Sequence, residues 1–426
     1  MTLLPHSVSE KLRDQIGYAI LLLLFLSQLA PQHISYFITI AFVAFWLVRG
    51  GWKKAKATVK TYPIIWLFWG LIFVPIIGLL YTENLRFGRI AIEQKISYVV
   101  FPLIIFSSSI LSKVQLNRVF GLFSLGWFLL SLASLYFVFL QNQEIYGSLR
   151  SESFWLFSHH NLTKPIGKSA IPTALHIGFC MLWLFKELLF NWKRLSTIWR
   201  YAYVSLLVYF IGYQVLLASR TIFTSVVIIM YLVTILWFVQ QKKIRQALVI
   251  AILLPILFLA SIYSHNTTWA RFTDVLKFGQ PMENTRFGGY QLRVEMWKSA
   301  WQIIKENPVL GVGTGDAWDV IINVHKQRNF EEGYKNRYHT HNQYIQDLMT
   351  LGILGLLILL ANLLIPFILA IRHKHYFYGM FLLFIALACT TDITLGFYKG
   401  VFFFSFINAL LCHQLLATAK DSQLHP

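Results

Sequence analysis

Runs of 15 to 25 mainly apolar residues, broken by short polar stretches, recur along the whole chain. A helix needs about 20 such residues to cross a bilayer, within a range of about 17–25. Twelve runs qualify, at residues 15–30, 34–48, 62–80, 96–111, 119–140, 170–190, 199–218, 221–239, 246–263, 347–371, 376–391 and 399–417. The second, fourth and eleventh are short, so pattern fixes their limits least. The first resembles the core of a signal peptide. Residues 34–48 follow it after too tight a loop to begin a mature chain, which predicts a retained helical hairpin. The expectation is an all-α polytopic membrane protein of about 12 transmembrane helices. Spans one to nine occupy 1–263, a loop domain occupies 264–346, and spans ten to twelve with a tail occupy 347–426.

Composition agrees. Apolar residues make up 57% of the 426 and charged residues 13%, against about 25% charged in soluble domains. This excludes a string of soluble domains, a disordered chain and a disulfide-stapled secreted module. Cys180, Cys389 and Cys412 lie inside apolar runs, with no CxxC pair and no disulfide framework. The net charge of +19 suggests nucleic acid only until the charges are placed. Twelve spans put both termini on one side, where Lys and Arg number 19, against 8 on the other once 264–346 is set aside. Long segments translocate regardless of charge, so the positive-inside rule makes both termini cytoplasmic. The basic balance reports topology, and no nucleic-acid partner is expected.

Residues 264–346 form an extracytoplasmic segment of about 80 residues, far longer than an ordinary connection. A second outer loop, 141–169, carries His159, His160, Lys164 and Lys168. Long structured loops on a rigid scaffold are where chemistry tends to sit, so function is expected at the outer face. No internal repeat or low-complexity tract appears.

Arg220 is the only Asp, Glu, Lys or Arg between Tyr201 and Gln241, at the tip of a tight hairpin. A guanidinium there marks a functional site with a partner, or else snorkels to the headgroups. Arg293 lies in QLRVEMWKSAWQIIKENP, where Met296, Trp297, Ala300, Trp301 and Ile304 recur at helical spacing. The run stops at Asn307-Pro308 and is too short and charged to span, which predicts an amphipathic helix against the outer membrane face. Arg286, seven residues before Arg293, shares its face if the helix begins early; Lys298 and Lys305 read as solvated. Gly311, Gly313 and Gly315 stand in GVGTGD, which is not a phosphate-loop order and reads as a turn.

His339-Thr340-His341-Asn342 precedes the tenth span. An imidazole there suits general-base catalysis near neutral pH, a structural role, or a metal site, for which spacing offers no third ligand. Gly352 and Gly355 are spaced to let another helix approach closely. Asp392 either pairs with Lys399 or orients His341. Lys95, where the chain re-enters the membrane, either contacts an anion or snorkels. Asn161-Leu-Thr and Asn266-Thr-Thr match glycosylation acceptors, a pattern common by chance.

The stretch HNQYIQDLMTLGILGLL, His341-Asn342 then nine residues then Gly352-x-x-Gly355, resembles the H-N-x9-G-x-x-G signature of the bacterial O-antigen ligase family and its polymerase relatives. The block from Arg293 to Gly313 and the pair Ser219-Arg220 are similar to that family's preceding block and outer-hairpin arginine. The residue after the second glycine, Leu356, and the extra imidazole of His339 depart from the pattern. The resemblance implies a GT-C-like membrane glycosyltransferase of the bacterial inner membrane with a periplasmic active site. It would move a glycan from undecaprenyl diphosphate to a hydroxyl of lipid A–core or another glycan or protein acceptor. His341 would be the base, and Arg220 and Arg293 the diphosphate contacts. Lys95, Arg286, His339, Asn342 and Asp392 would be looser substrate contacts. Two arginines can neutralise a diphosphate by charge-assisted hydrogen bonds, so no metal and no cofactor is expected, and direct attack would invert the anomeric centre. A polysaccharide polymerase and a protein O-oligosaccharyltransferase differ only in acceptor. A transporter or flippase is the reading from another class. It fits less well, because the charged residues sit at loops and interfaces and not at mid-membrane, and the unusual residues gather on one face.

Overall fold

The computed structural model describes residues 6–108, 112–147, 155–252 and 290–424. Helices, turns and loops account for all of them, with no strand among the described residues. The helices are α1 (His6–Leu26), α2 (Gln32–Val48), α3 (Gly51–Thr61), α4 (Ile64–Gly78), α5 (Leu85–Lys95) and α6 (Ser97–Ser107). Then come α7 (Lys113–Tyr146), α8 (His159–Thr163), α9 (Ala170–Phe190), α10 (Thr197–Leu216), α11 (Arg220–Gln240) and α12 (244–252). The segment before the tenth expected span holds α13 (Tyr290–Glu306), α14 (Ala317–Gln327) and α15 (Glu331–Lys335). The chain ends in α16 (Gln343–Arg372), α17 (Tyr376–Ala388) and α18 (Tyr398–Leu424).

Seven of these segments are long and apolar enough to cross a membrane, or eight if α2 and α3, bent by 93°, form one broken span. The residues at Asp14–Leu29 and α17 form shorter apolar helices. The sharp bend falls at Gly50, whose φ of +70° suits a residue without Cβ. Residues 49–60, expected as a cytoplasmic loop, are largely the basic helix α3. Residues 81–95, expected as a loop, are largely α5, and Leu85–Ser107 counts as one span. The fourth expected span is therefore the second half of a longer helix, with Lys95 at the junction. The second half of the ninth expected span, Asn266 and Arg286 lie outside the described residues.

Burial sorts the spans. Within the most apolar window, 89% of α18 and 78% of α9 is buried, against 22% to 39% for the other five. A helix that is apolar all round and covered by its neighbours sits inside the bundle. Phe25, Phe120, Phe123, Phe179 and Phe406 meet ring to ring at its centre, joining α1, α7, α9 and α18. Cys180, Cys389 and Cys412 are free thiols in this interior.

The amphipathic helix expected around Arg293 is α13. Its Ala300, Ile303 and Ile304 pack on Ala317, Ile321 and Ile322 of α14 and on Met349 of α16. Much of its apolar face is therefore spent on protein, while Trp301 stays exposed. Arg328 clamps the far side, donating to Glu295 Oε2 at 2.9 Å and to Ser299 Oγ at 2.8 Å.

Candidate active site

The site rests on a break in α16. Gly352 has φ +63° and ψ −158°, so the helix is interrupted about two and a half turns from its start. The Ile353 N–H, which in an unbroken helix bonds Met349 O, donates instead to Pro308 O at 3.0 Å. The freed carbonyls of Met349 and Thr350 accept from Val312 N (3.1 Å) and Gly313 N (3.0 Å). The GVGTGD stretch is thus more than a turn. Residues 308–316 form a strap that pairs with the opened helix backbone. It continues to α4 and α5, where Thr314 Oγ1 donates to Pro75 O at 2.6 Å. Asp316 then accepts from Glu83 N (2.9 Å) and Asn84 N (2.7 Å). A Cβ on Gly352 would stand 2.1 Å from Val309 O. The close approach at Gly352 is therefore made by this strap and not by another helix, and at Gly355 the nearest atoms are those of α16 itself.

The imidazole of His341 stands just before the first turn of α16. Asn342 is its N-cap: the side-chain oxygen accepts from Ile345 N at 3.1 Å, and the amide nitrogen donates to Thr390 O at 3.0 Å. Gln343 N donates to Cys389 O at 2.8 Å, and Gln343 Oε1 accepts from Leu395 N at 2.9 Å. These bonds fasten the 389–395 loop to the residues flanking His341. Asp392 arrives by this route, its Oδ1 3.7 Å from His341 Nδ1. His341 itself has φ +45°, an uncommon backbone for a side-chain-bearing residue, held by its N–H donating to His339 Nδ1 at 3.0 Å. The two imidazoles lie 3.9 Å apart, centroid to centroid. Burial first and His341 second lower the His339 imidazole to about 3, against a smaller opposing effect of Asp392. His339 is thus neutral at physiological pH and accepts through Nδ1.

Arg293 reaches this cluster electrostatically through Asp392, and Arg220 in turn reaches Arg293. Arg220 stands exposed at the N-terminus of α11, after a hairpin that turns through Ala218 at φ +52°. A helix N-terminus adds its own positive potential to that of the side chain. Arg293 is half-buried on the first turn of α13. Burial lowers its guanidinium from the ordinary value, Asp392 opposes this, and Arg220 reinforces it. It remains cationic at any working pH. Two guanidiniums sense each other here, with Asp392 as the carboxylate that acts on Arg293. That surplus of positive charge suits a dianionic ligand.

Lys95 donates to Leu395 O at 3.2 Å and lies within electrostatic range of Asp347. It is therefore tied to the same loop that carries Asp392. Asp392 faces His341 and not Lys399, which lies instead in a separate pocket beside Lys168. Asp347, which accepts from Gln343 Nε2 at 2.9 Å, and Gln343 are site supports that spacing did not single out. The signal for Asp347 was present, since an ionisable residue at the head of an apolar span is a functional candidate by default. His339, His341 and Asp392 each bring one ligand atom within 4.8 Å of the others. A third donor absent from the local spacing is thus supplied by the fold, a two-imidazole, one-carboxylate set of the kind that holds a divalent metal.

Fold and site together define a helical membrane protein with a basic, histidine-bearing cluster at one end of its spans. Residues 202–360 match the O-antigen ligase family model. The match takes in Arg220, Arg293, His341 and the Gly352–Gly355 pair, while Lys95 and Asp392 lie beyond it. No curated protein matches the chain. The coarse reading is a membrane glycosyltransferase of the O-antigen ligase and polymerase type.

Proposed function

We propose that the chain is an O-antigen ligase. It transfers a glycan from undecaprenyl diphosphate to a hydroxyl of lipid A–core, at the periplasmic face of a bacterial inner membrane. The observation that supports this reading is that Asp392, 3.7 Å from His341 Nδ1, also acts electrostatically on Arg293, which in turn senses Arg220.

In the proposed reaction Arg220 and Arg293 hold the donor diphosphate and neutralise the charge that grows on it as it leaves. The Asp392 carboxylate, 3.7 Å from His341 Nδ1, favours the tautomer that carries its proton on Nδ1, which leaves the Nε2 lone pair as the proton acceptor. The acceptor hydroxyl attacks the anomeric carbon, its proton passes to His341 Nε2, and the bond to the diphosphate oxygen breaks. The diphosphate departs on its lipid, and the anomeric configuration inverts. A base contributes about 10²–10⁴-fold, and fixing two membrane-held substrates in register contributes at least as much. Charge neutralisation by arginine makes a metal unnecessary in this scheme.

Purified protein with donor and lipid A–core tests the reading. Glycan on lipid A–core supports it, whereas longer glycans still on undecaprenyl identify a polymerase. Transfer to a protein hydroxyl in place of either identifies an oligosaccharyltransferase.

A further inference from the structure

Phe397 packs against His339, their rings 6.1 Å apart, whereas the next two residues, Tyr398 and Lys399, line a different pocket. One loop therefore separates the catalytic cluster from this second site. Gln28, Trp127, Lys168, Thr173 and His176 also line it, brought from the α1–α2 connection, α7 and the start of α9.

The pocket has a large excess of donors over acceptors. Lys168 spends two of its three N–H groups on Gln28 O (3.2 Å) and Ala30 O (2.6 Å). Lys399 makes no hydrogen bond or ion pair among the described residues, and no acidic residue lines the pocket. Trp127, Thr173 and His176 are only 1%, 1% and 4% exposed. Even so, Trp127 Nε1, Thr173 Oγ1, His176 Nδ1 and Gln28 Nε2 have no hydrogen-bond partner among the described residues. Buried polar atoms are nearly always paired, so four orphans around one pocket point to a guest. Two neighbouring amines repel unless an anion lies between them. Burial first and Lys399 second lower the Lys168 amine to about 8, the direction expected of an amine facing another cation with no anion to offset it.

We infer that this pocket is a second oxyanion site, distinct from the arginine–histidine cluster, that holds a phosphate group. Lys168 and Lys399 supply the charge, and Trp127, Gln28, His176 and Thr173 supply directed hydrogen bonds. Ammonium and indole donors on a phosphate make strong, charge-assisted contacts. The phosphate has two sources, a soluble phosphate compound or a phospholipid headgroup, and the same donors serve either. Because the loop 392–399 is shared, a group anchored at Lys399 lies on the far side of Phe397 from the His339–His341 pair.

Full-length protein in phosphatidylcholine nanodiscs, titrated with inorganic phosphate by calorimetry, and native mass spectrometry of protein taken through phosphatidylglycerol-containing micelles test the two sources. The expected result is phosphate binding, phosphatidylglycerol retention, or both. Made in an Arg220→Gln background, which weakens the arginine site, Lys399→Gln and Lys168→Gln should weaken whichever is seen at least tenfold. Saturable phosphate binding assigns a soluble source, and retained phosphatidylglycerol alone assigns a headgroup. Lys399→Gln makes the test robust if Lys168→Gln, which loses two carbonyl contacts, fails to fold. Two results overturn the site: neither probe binds in the Arg220→Gln background, or binding there survives Lys399→Gln.

Discussion

Asp392 Oδ1 lies 3.7 Å from His341 Nδ1, although 51 positions separate the two residues. A carboxylate on one imidazole nitrogen fixes the tautomer and leaves the other nitrogen free to accept a proton. In the proposed reaction this contact divides the roles: His341 takes the proton of the reacting hydroxyl, and Asp392 positions His341. His341→Ala should therefore lower the transfer rate by about 10²–10⁴-fold. Asp392→Asn should cost less and should alter the pH profile of kcat. Equal, pH-independent losses in both variants would count against a positioning role for Asp392.

The arginines differ from lysine in geometry as well as charge. A guanidinium grips a phosphate with two parallel N–H bonds, which an ammonium cannot do. Hydrogen bonds to charged groups are worth about 1.5–3 kcal/mol each, so Arg220→Lys or Arg293→Lys should lower kcat/KM by about 10–100-fold. The alanine variants should lose more. Steady-state transfer against donor concentration measures both effects, and a lysine variant with full activity would show that only charge matters.

How far these relationships could be read from the chain depends on their distance in sequence. Apolar runs and the H-N-x9-G-x-x-G spacing are local, so the seven long apolar helices, α13 and the His341–Gly355 stretch were legible, while the expected count of twelve spans was not matched among the described residues. Pairing between distant segments was not. The strap at 308–316 reads as a glycine turn because its hydrogen-bond partners are the carbonyls of Met349 and Thr350, exposed by the break at Gly352. Asp392 had two plausible partners, and only the bonds from Asn342 and Gln343 to the 389–395 loop bring it to His341 and leave Lys399 elsewhere. Lys95 stood as a lone cation on the chain. Its link to Leu395 O depends on α5 and α18 meeting in space.

The glycine at the break sets a second expectation. Gly352→Ala places a Cβ against Val309 O on a backbone with φ +63°. Such strain costs on the order of 1–3 kcal/mol, and relieving it would detach the strap from α16. Thermal unfolding in detergent should show a lowered midpoint, accompanied by lost transfer. Gly147→Ala, at a position with nothing within 4 Å but also at positive φ, separates backbone strain from collision and should be the milder change.

Acid should act partly through His339. Its folded value of about 3 lies below the ordinary value near 6.5. The unfolded chain therefore takes up this proton first, and the folded state loses stability as pH falls from about 6.5 towards 3. Above pH 6.5 the contribution is complete and flat. In His339→Asn the loss of unfolding temperature between pH 7 and pH 5 should be smaller than in the parent. An unchanged slope would remove His339 from the acid response.

The cluster of His339, His341 and Asp392 within 4.8 Å also predicts a response to metal. Zinc added to the purified protein should inhibit by occupying the base, and EDTA should restore the starting rate without raising it. A rate that EDTA abolishes and zinc restores would make the ion part of the reaction.

The most direct measurement is transfer by the purified protein in detergent, supplied with undecaprenyl-diphosphate glycan and lipid A–core, with EDTA present and no nucleotide. The predicted result is glycan on lipid A–core, with inverted linkage, formed by the parent and absent in His341→Ala, Arg220→Ala and Arg293→Ala that insert and purify normally. Near-normal product from all three variants would contradict the proposed site. An intact donor that yields no product on lipid A–core would contradict the ligase reaction itself.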